Sequence, residues 1–472
     1  AVYTYIKLIV KKPAGYTMTF NNGISAESFD ASVNAGKIIF NNGTVTTTGE
    51  QKYAGVLELG TDVTFTASKV TFSATVDGSK ALTIAGSAPT EFNGVVGNTA
   101  PLTTLTTGTG LTTINAASIK TSGNQEYKGA VTLSENTALT ASAIKFDATV
   151  DGAKALTIAG TATTEFSGAV GGTNPLESFT SSTGLTKINA ASVKTNGAQT
   201  YNGKIELGAN ATLETVNDSA ITFNDTVNSL SSGTVEHSLT ISGSAKPEFK
   251  KDVGLGTKGL AALTTDTNTE AVINTSNIKT SGTQTYKGKV TLSKNTTLTA
   301  PASNIKFDGT VDGAQSLTIA GNAAVEFNNP VGSATPLTAL ITGTGLTTIN
   351  TTSIKTSGIQ TYKGAVSLNQ TASLEGSLVN FMSTLNGAFA LTLADATAQT
   401  FSGIVGGTTA LSSLTTGTGT TTINTSSIKT SGIQTYKGKV ILNTNSTLDS
   451  GSLMFEDVIN SAVSGLSGAK DL

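Results

Sequence analysis

The hydrophobic residues of this chain come in short bursts that alternate with polar ones and never sustain a helical period. LTIAG at 82–86, 156–160 and 317–321, QTY at 199–201 and KFDATV at 145–150 are typical. A period of two places the β-branched side chains on one side of an extended run, and Gly, Asp or Asn closes each run. The pattern predicts many short strands joined by tight turns, in an all-β chain.

The runs recur in a fixed order. SIKTSGIQTYKGKV at 427–440 returns as SIKTSGIQTYKGAV at 353–366, NIKTSGTQTYKGKV at 277–290, SVKTNGAQTYNGKI at 192–205 and SIKTSGNQEYKGAV at 118–131. A degenerate copy, FNNGTVTTTGEQKY, covers 40–53. The motif tyrosines Tyr53, Tyr127, Tyr201, Tyr286, Tyr362 and Tyr436 keep an interval of about 74 residues, stretched once between Tyr201 and Tyr286. Between them stand a Phe strand before a turn, LTIAG, an EF pair, a VG pair and a Thr-rich run ending in Ile-Asn. A propeller blade takes about 40 to 50 residues, and a sandwich domain of about 100 residues would need linkers that are absent here. Coils of about 20 to 30 residues divide the period into about three. The expected architecture is therefore a parallel β-helix, or β-solenoid, whose sequence repeats of about 74 residues hold about three coils each. Such an array is stable as a stack and not coil by coil.

Residues 1–39 are read as an N-terminal strand or cap, in which AVYTYIKLIVKK alternates like a strand and belongs to no repeat. Residues 40–472 form a continuous solenoid of about six repeats, with a longer, variant repeat at 201–285. GLSGAKDL at 465–472 looks like the start of DGAKALTIAG at 151–160, so the chain stops in mid-repeat. The expectation is a fragment of a longer protein, or a subunit whose ends are covered by neighbours, since an open coil exposes strand edges.

Composition narrows the function classes. With 29 basic and 31 acidic side chains in 472 residues, no net field favours nucleic acid. There is no cysteine, which removes disulfides, thiolate chemistry and Cys-based metal sites. No apolar run is long enough for a membrane-spanning helix. The opening residues lack the layout of a signal peptide.

Repeated positions read as architecture. Asn115, Asn189, Asn274, Asn350 and Asn424 follow the Thr-rich run and are expected to be turn residues or an inward amide ladder. The same reading holds for Gln125, Gln199, Gln284, Gln360 and Gln434, and the six tyrosines are expected to be packed aromatics with a solvated hydroxyl. Lys120, Lys194, Lys279, Lys355 and Lys429 form either a basic stripe for an acidic polysaccharide or a solubilising outward face, and the second is preferred. Asp77, Asp151 and Asp312 of the DG turns are replaced by Asn228 and Asn386, which argues against a repeated calcium site. The single histidine, His237, stands beside Glu236 in the variant repeat and is a poor catalytic candidate. No carboxylate pair, nucleophile triad or phosphate loop stands out, so no catalytic, cofactor or metal site is expected. An ice-binding surface needs an outward Thr on every coil, whereas the Thr-rich run recurs once per repeat.

The motifs Q-T-Y-x-G-x-V-x-L, N-x-T-L-x-A, L-T-I-A-G, F-x-G-x-V-G-x-x-x-P-L and T-T-I-N together resemble the passenger repeats of filamentous-haemagglutinin-like and autotransporter-type bacterial adhesins, over about residues 40–472. The resemblance implies a right-handed parallel β-helix, export from a Gram-negative-type cell and a role in adhesion or surface structure. The expected function is a non-enzymatic extracellular stalk of a bacterial surface adhesin. Its expected partners are copies of itself, through chain ends or lateral faces, and a host-cell or polysaccharide receptor. A self-assembling subunit of a filament, sheath or surface layer is the alternative, and a carbohydrate-active β-helix enzyme comes third.

Overall fold

The computed structural model describes residues 6–11, 15–33, 36–301, 303–394 and 396–461. The first five residues and GLSGAKDL, which carried the readings of the two termini, lie outside the described residues. Among the described residues there is no helix, and parallel strands stack as a β-solenoid of about 22 turns. Residues 7–39 hold strands on all three of its faces, from Lys7–Lys11 to Lys37–Phe40.

The rung length departs from expectation. Gln51 stacks on Val70, Val70 on Thr90, Thr90 on Thr112 and Thr112 on Val131. One turn thus takes about 20 residues, at the short end of the solenoid range. Three strands, one per face, complete a turn. From Gln51–Tyr53 to its next copy, Gln125–Tyr127, the chain passes the ten strands beginning at Leu57–Leu59 and a single-residue bridge at Val96, eleven sheet positions in all. A sequence repeat is therefore three and two-thirds turns and not three. The V-G element of the repeat is that bridge, and it recurs at Val170, Val331 and Val405.

The chain divides into two compact units, Ala1–His237 with Gly243–Ala245, and Ser238–Ser242 with Lys246–Leu472. In the first, Tyr53, Tyr127 and Tyr201 lie in three different sheets. In the second, Tyr286, Tyr362 and Tyr436 do the same. A repeat that ends one-third of a turn short moves the next copy of the motif to another face, and three copies visit all three.

Inward positions alternate with outward ones in most strands, as in Thr163–Phe166 and Gln125–Tyr127. The core is organised by rings. Each motif tyrosine stacks on the Phe of the next turn, and in most repeats that Phe stacks on another: Tyr127 on Phe146 at 5.1 Å and 10°, and Phe146 on Phe166 at 5.2 Å and 2°. Tyr362, Phe381 and Phe401 repeat this at 5.2 and 5.5 Å. Since rungs lie about 4.8 Å apart, stacked rings slide slightly to reach the offset geometry that aromatic pairs prefer. The Tyr, KF and EF elements recur in that order because they occupy one inward column.

The DG turns need glycine. Gly152 has φ of +127°, and a Cβ there would stand 2.2 Å from the Leu133 carbonyl oxygen of the turn before. The extra length of the variant repeat is spread out. The turn from Gln199 to Ile221 is longer than its counterpart from Gln125 to Ile144, and the turn from Phe249 to Ile273 is longer than that from Phe166 to Ile188. The rest of the insertion lies between Phe223 and Phe249.

Candidate functional site

The motif closes on itself inside the solenoid. In SIKTSGNQEYKG, Ser118–Lys120 and Gln125–Tyr127 are strands, and TSGN turns the corner between them. Gln125 and Tyr127 are two apart and share the inward side. The Tyr127 hydroxyl donates to Gln125 Oε1 at 3.0 Å, while Gln125 Nε2 donates to the carbonyls of Ile119 and Thr140 at 3.1 and 3.0 Å. The amide thus joins the strand before the corner to the strand of the next turn. The same clamp stands at Gln51 and Tyr53, Gln199 and Tyr201, Gln284 and Tyr286, Gln360 and Tyr362, and Gln434 and Tyr436.

Each of these tyrosines is at most 1% exposed, so the expectation of a solvated hydroxyl is corrected. The hydroxyl is held in the core because Gln Oε1 replaces water as its acceptor. Burial pushes every one of the six hydroxyls well above the ordinary tyrosine value. Removing one, Tyr127→Phe, orphans Gln125 Oε1 and is expected to cost about 1 to 3 kcal/mol. Urea unfolding measures this, and a change below the error of the midpoint would show that the clamp carries no weight.

The asparagine column lies outside. Asn115 Nδ2 donates to Asn93 Oδ1 at 2.5 Å, Asn350 to Asn328 Oδ1 at 2.6 Å, and Asn424 Oδ1 accepts from Asn443 at 2.7 Å. Asn189 and Asn274 instead donate to Glu165 and Glu248, at 3.1 and 3.5 Å. Each of these residues bonds to a neighbouring turn at its own corner, on the solvent side and not inward, and successive copies stand at different corners.

The DG acids cap a loop. Asp151 Oδ1 accepts the backbone N–H groups of Thr173 and Asn174, at 2.9 and 3.2 Å, from the loop of the following turn. Asp77 and Asp312 make the same pair of bonds, and Asn386 makes it with its amide oxygen. Only an acceptor is needed, which explains the exchange of Asp for Asn. Asp151→Asn is expected to leave the urea midpoint nearly unchanged, whereas Asp151→Ala loses about 1 to 3 kcal/mol. Equal losses would contradict a purely acceptor role.

The lysines do not make one stripe. Because successive copies change face, Lys120 and Lys194 lie on different sheets of the first unit, as do Lys279, Lys355 and Lys429 in the second. Three of them meet an acid directly across the ladder: Lys194 with Glu214 at 2.8 Å, Lys355 with Glu375 at 2.9 Å and Lys429 with Asp449 at 3.0 Å. Pairs this exposed are worth about 0 to 1 kcal/mol each.

One outward column escaped the repeat-based reading. Thr157, Thr180, Thr200 and Thr222 are stacked on successive turns of one face, each from a different element of the repeat. Columns mix elements because three and two-thirds turns bring unlike segments into line. The column is a single side chain wide and begins above Ala138.

His237 donates its backbone N–H to Ser229 Oγ at 2.7 Å, within the variant repeat. Among the described residues no group of three or more His, Cys, Asp or Glu side chains is placed to hold a metal ion, and no helix is long and apolar enough to cross a membrane. No family model, no curated protein and no solved structure matches the chain.

Proposed function

We infer that this chain is a non-enzymatic, extracellular β-solenoid that serves as the stalk of a bacterial surface adhesin. One observation carries the reading: the residues that define the repeat, Gln and Tyr, are spent on the solenoid's own hydrogen bonds inside it, in six copies. The outward side chains of successive copies point from different faces, so repetition multiplies length and not a binding stripe. A chain built this way acts as a spacer, with receptor contact made where the repeat departs from its pattern. Host-cell or polysaccharide receptors and further copies of the chain are the partners this role requires.

The test is removal of residues 128–201, one full repeat, from the chain displayed on its native cell surface. The one junction this makes joins Tyr127 to Asn202, consecutive positions of the motif. The stalk reading expects surface display and cell adhesion to persist with a shorter projection in electron micrographs. Ordered fibres formed by the purified chain, with no loss of adhesion when the gene is deleted, would replace the stalk with a filament subunit. Turnover of a polysaccharide by the purified chain would overturn the non-enzymatic reading.

A further inference from the structure

One corner of the second unit breaks two repeated columns at once. In DGSK, DGAK and DGAQ the fourth residue is Lys80, Lys154 or Gln315, but in NGAF it is Phe389, which is 39% exposed. The N–H of the next residue is capped in the other copies by a side chain of the preceding turn: Ala81 by Asp62 Oδ1 at 2.8 Å, Ala155 by Asn136 at 2.9 Å and Ser316 by Asn295 at 2.9 Å. The position of that cap is Thr371 here, and among the described residues no side-chain oxygen accepts the N–H of Ala390.

A groove of about 400 Å³ opens at this corner, with Phe389 on one side and Thr352, Gln370, Thr371, Ser373 and Thr392 around it. No ionisable side chain lines it. The site thus offers an exposed aromatic face, a rim of hydroxyl and amide groups and a backbone N–H released from its cap. That combination matches a ligand with one apolar face, a hydroxylated edge and no charge. We propose that the Phe389 groove binds a neutral pyranose ring, whose C–H face stacks on Phe389 while its hydroxyls bond to the Ala390 N–H and the Thr and Gln side chains. The proposal does not depend on the stalk reading, since it rests on this corner alone.

Substitutions that restore the other repeats make the test, because those residues already stand at the equivalent corners of this fold. Saturation-transfer NMR on the full chain, with the methyl glycosides of glucose, galactose and mannose and with cellobiose as probes, should show transfer to the C–H protons of at least one. Phe389→Gln should weaken that binding about tenfold or more, the loss of about 1.4 kcal/mol expected when a ring contact is removed. Thr371→Asn should weaken it too, by recapturing the Ala390 N–H. Circular dichroism and thermal unfolding of both variants should match the parent. Absence of transfer from all four probes, or equal binding by Phe389→Gln, would overturn the proposal. Self-association of the parent that Phe389→Gln abolishes, without any sugar binding, would reassign the corner to contacts between copies.

Discussion

Replacing Phe146 with Ala is expected to lower the stability of the first unit by about 3 to 5 kcal/mol. Phe146 is 1% exposed and lies between Tyr127 and Phe166, nearly parallel to both. Truncation empties the middle of a three-ring stack whose neighbours are fixed by the backbone ladder on either side, so the gap cannot close by sliding one ring. A solenoid propagates stability between neighbouring turns, and the loss should be local at first. Amide exchange should quicken in Gln125–Tyr127, Ala143–Phe146 and Thr163–Phe166, while strands such as Ile359–Tyr362 in the second unit keep their protection. Lys145→Ala, on the outward side of the same strand, is the control, with an effect within about 0.5 kcal/mol. A Phe146→Ala chain as stable as its control would remove the ring columns from the account of why the sequence repeats.

Alkali is expected to unfold the protein cooperatively. Burial holds all six motif hydroxyls protonated well above the usual tyrosine range. In the unfolded chain they ionise near about pH 10. Above that pH the unfolded state has released protons that the folded state keeps, so it binds fewer protons and stability falls as pH rises. The contribution is fully present below about pH 10 and is lost progressively toward the higher folded values, by about 1.4 kcal/mol per pH unit for each tyrosine. With three such tyrosines in each unit, the slope is about 4 kcal/mol per pH unit per unit. Phenolate absorbance and β-sheet circular dichroism should therefore change together, in one steep transition above about pH 10. Six tyrosines titrating near about pH 10 with the circular dichroism intact would contradict their burial.

Most of the fold is legible in the sequence, and the reason is physical. Alternation in LTIAG or QTY fixes which side chains face inward, and closure by Gly or Asp marks the corners. The repeat gives the order of elements. The winding number is harder to see, because dividing the period by coils longer than the turns that form gives three instead of three and two-thirds. That third of a turn decides which residues share a face, so the lysine and threonine columns could not be placed from the repeat alone. Gln125 and Tyr127 were visible as a fixed pair, but not their role. The carbonyls that Gln125 serves belong to Ile119 and Thr140, which come together only once the chain is wound. Phe389 was legible as a break in a Lys or Gln column, and its groove was not, because the lining comes from three successive turns.

The winding itself is open to a direct measurement, and the absence of cysteine from the chain makes labelling clean. Glu126 and Lys145 are outward neighbours across the ladder, whereas three coils per repeat would place a residue near Asp151 beside Glu126. Spin labels attached in Glu126→Cys/Lys145→Cys and in Glu126→Cys/Asp151→Cys chains report which pair shares neighbouring rungs about 4.8 Å apart. Strong dipolar broadening in the first pair and weaker coupling in the second is the predicted result. Stronger coupling in the second pair than in the first would contradict three and two-thirds turns per repeat, and with it the placing of the motif on all three faces.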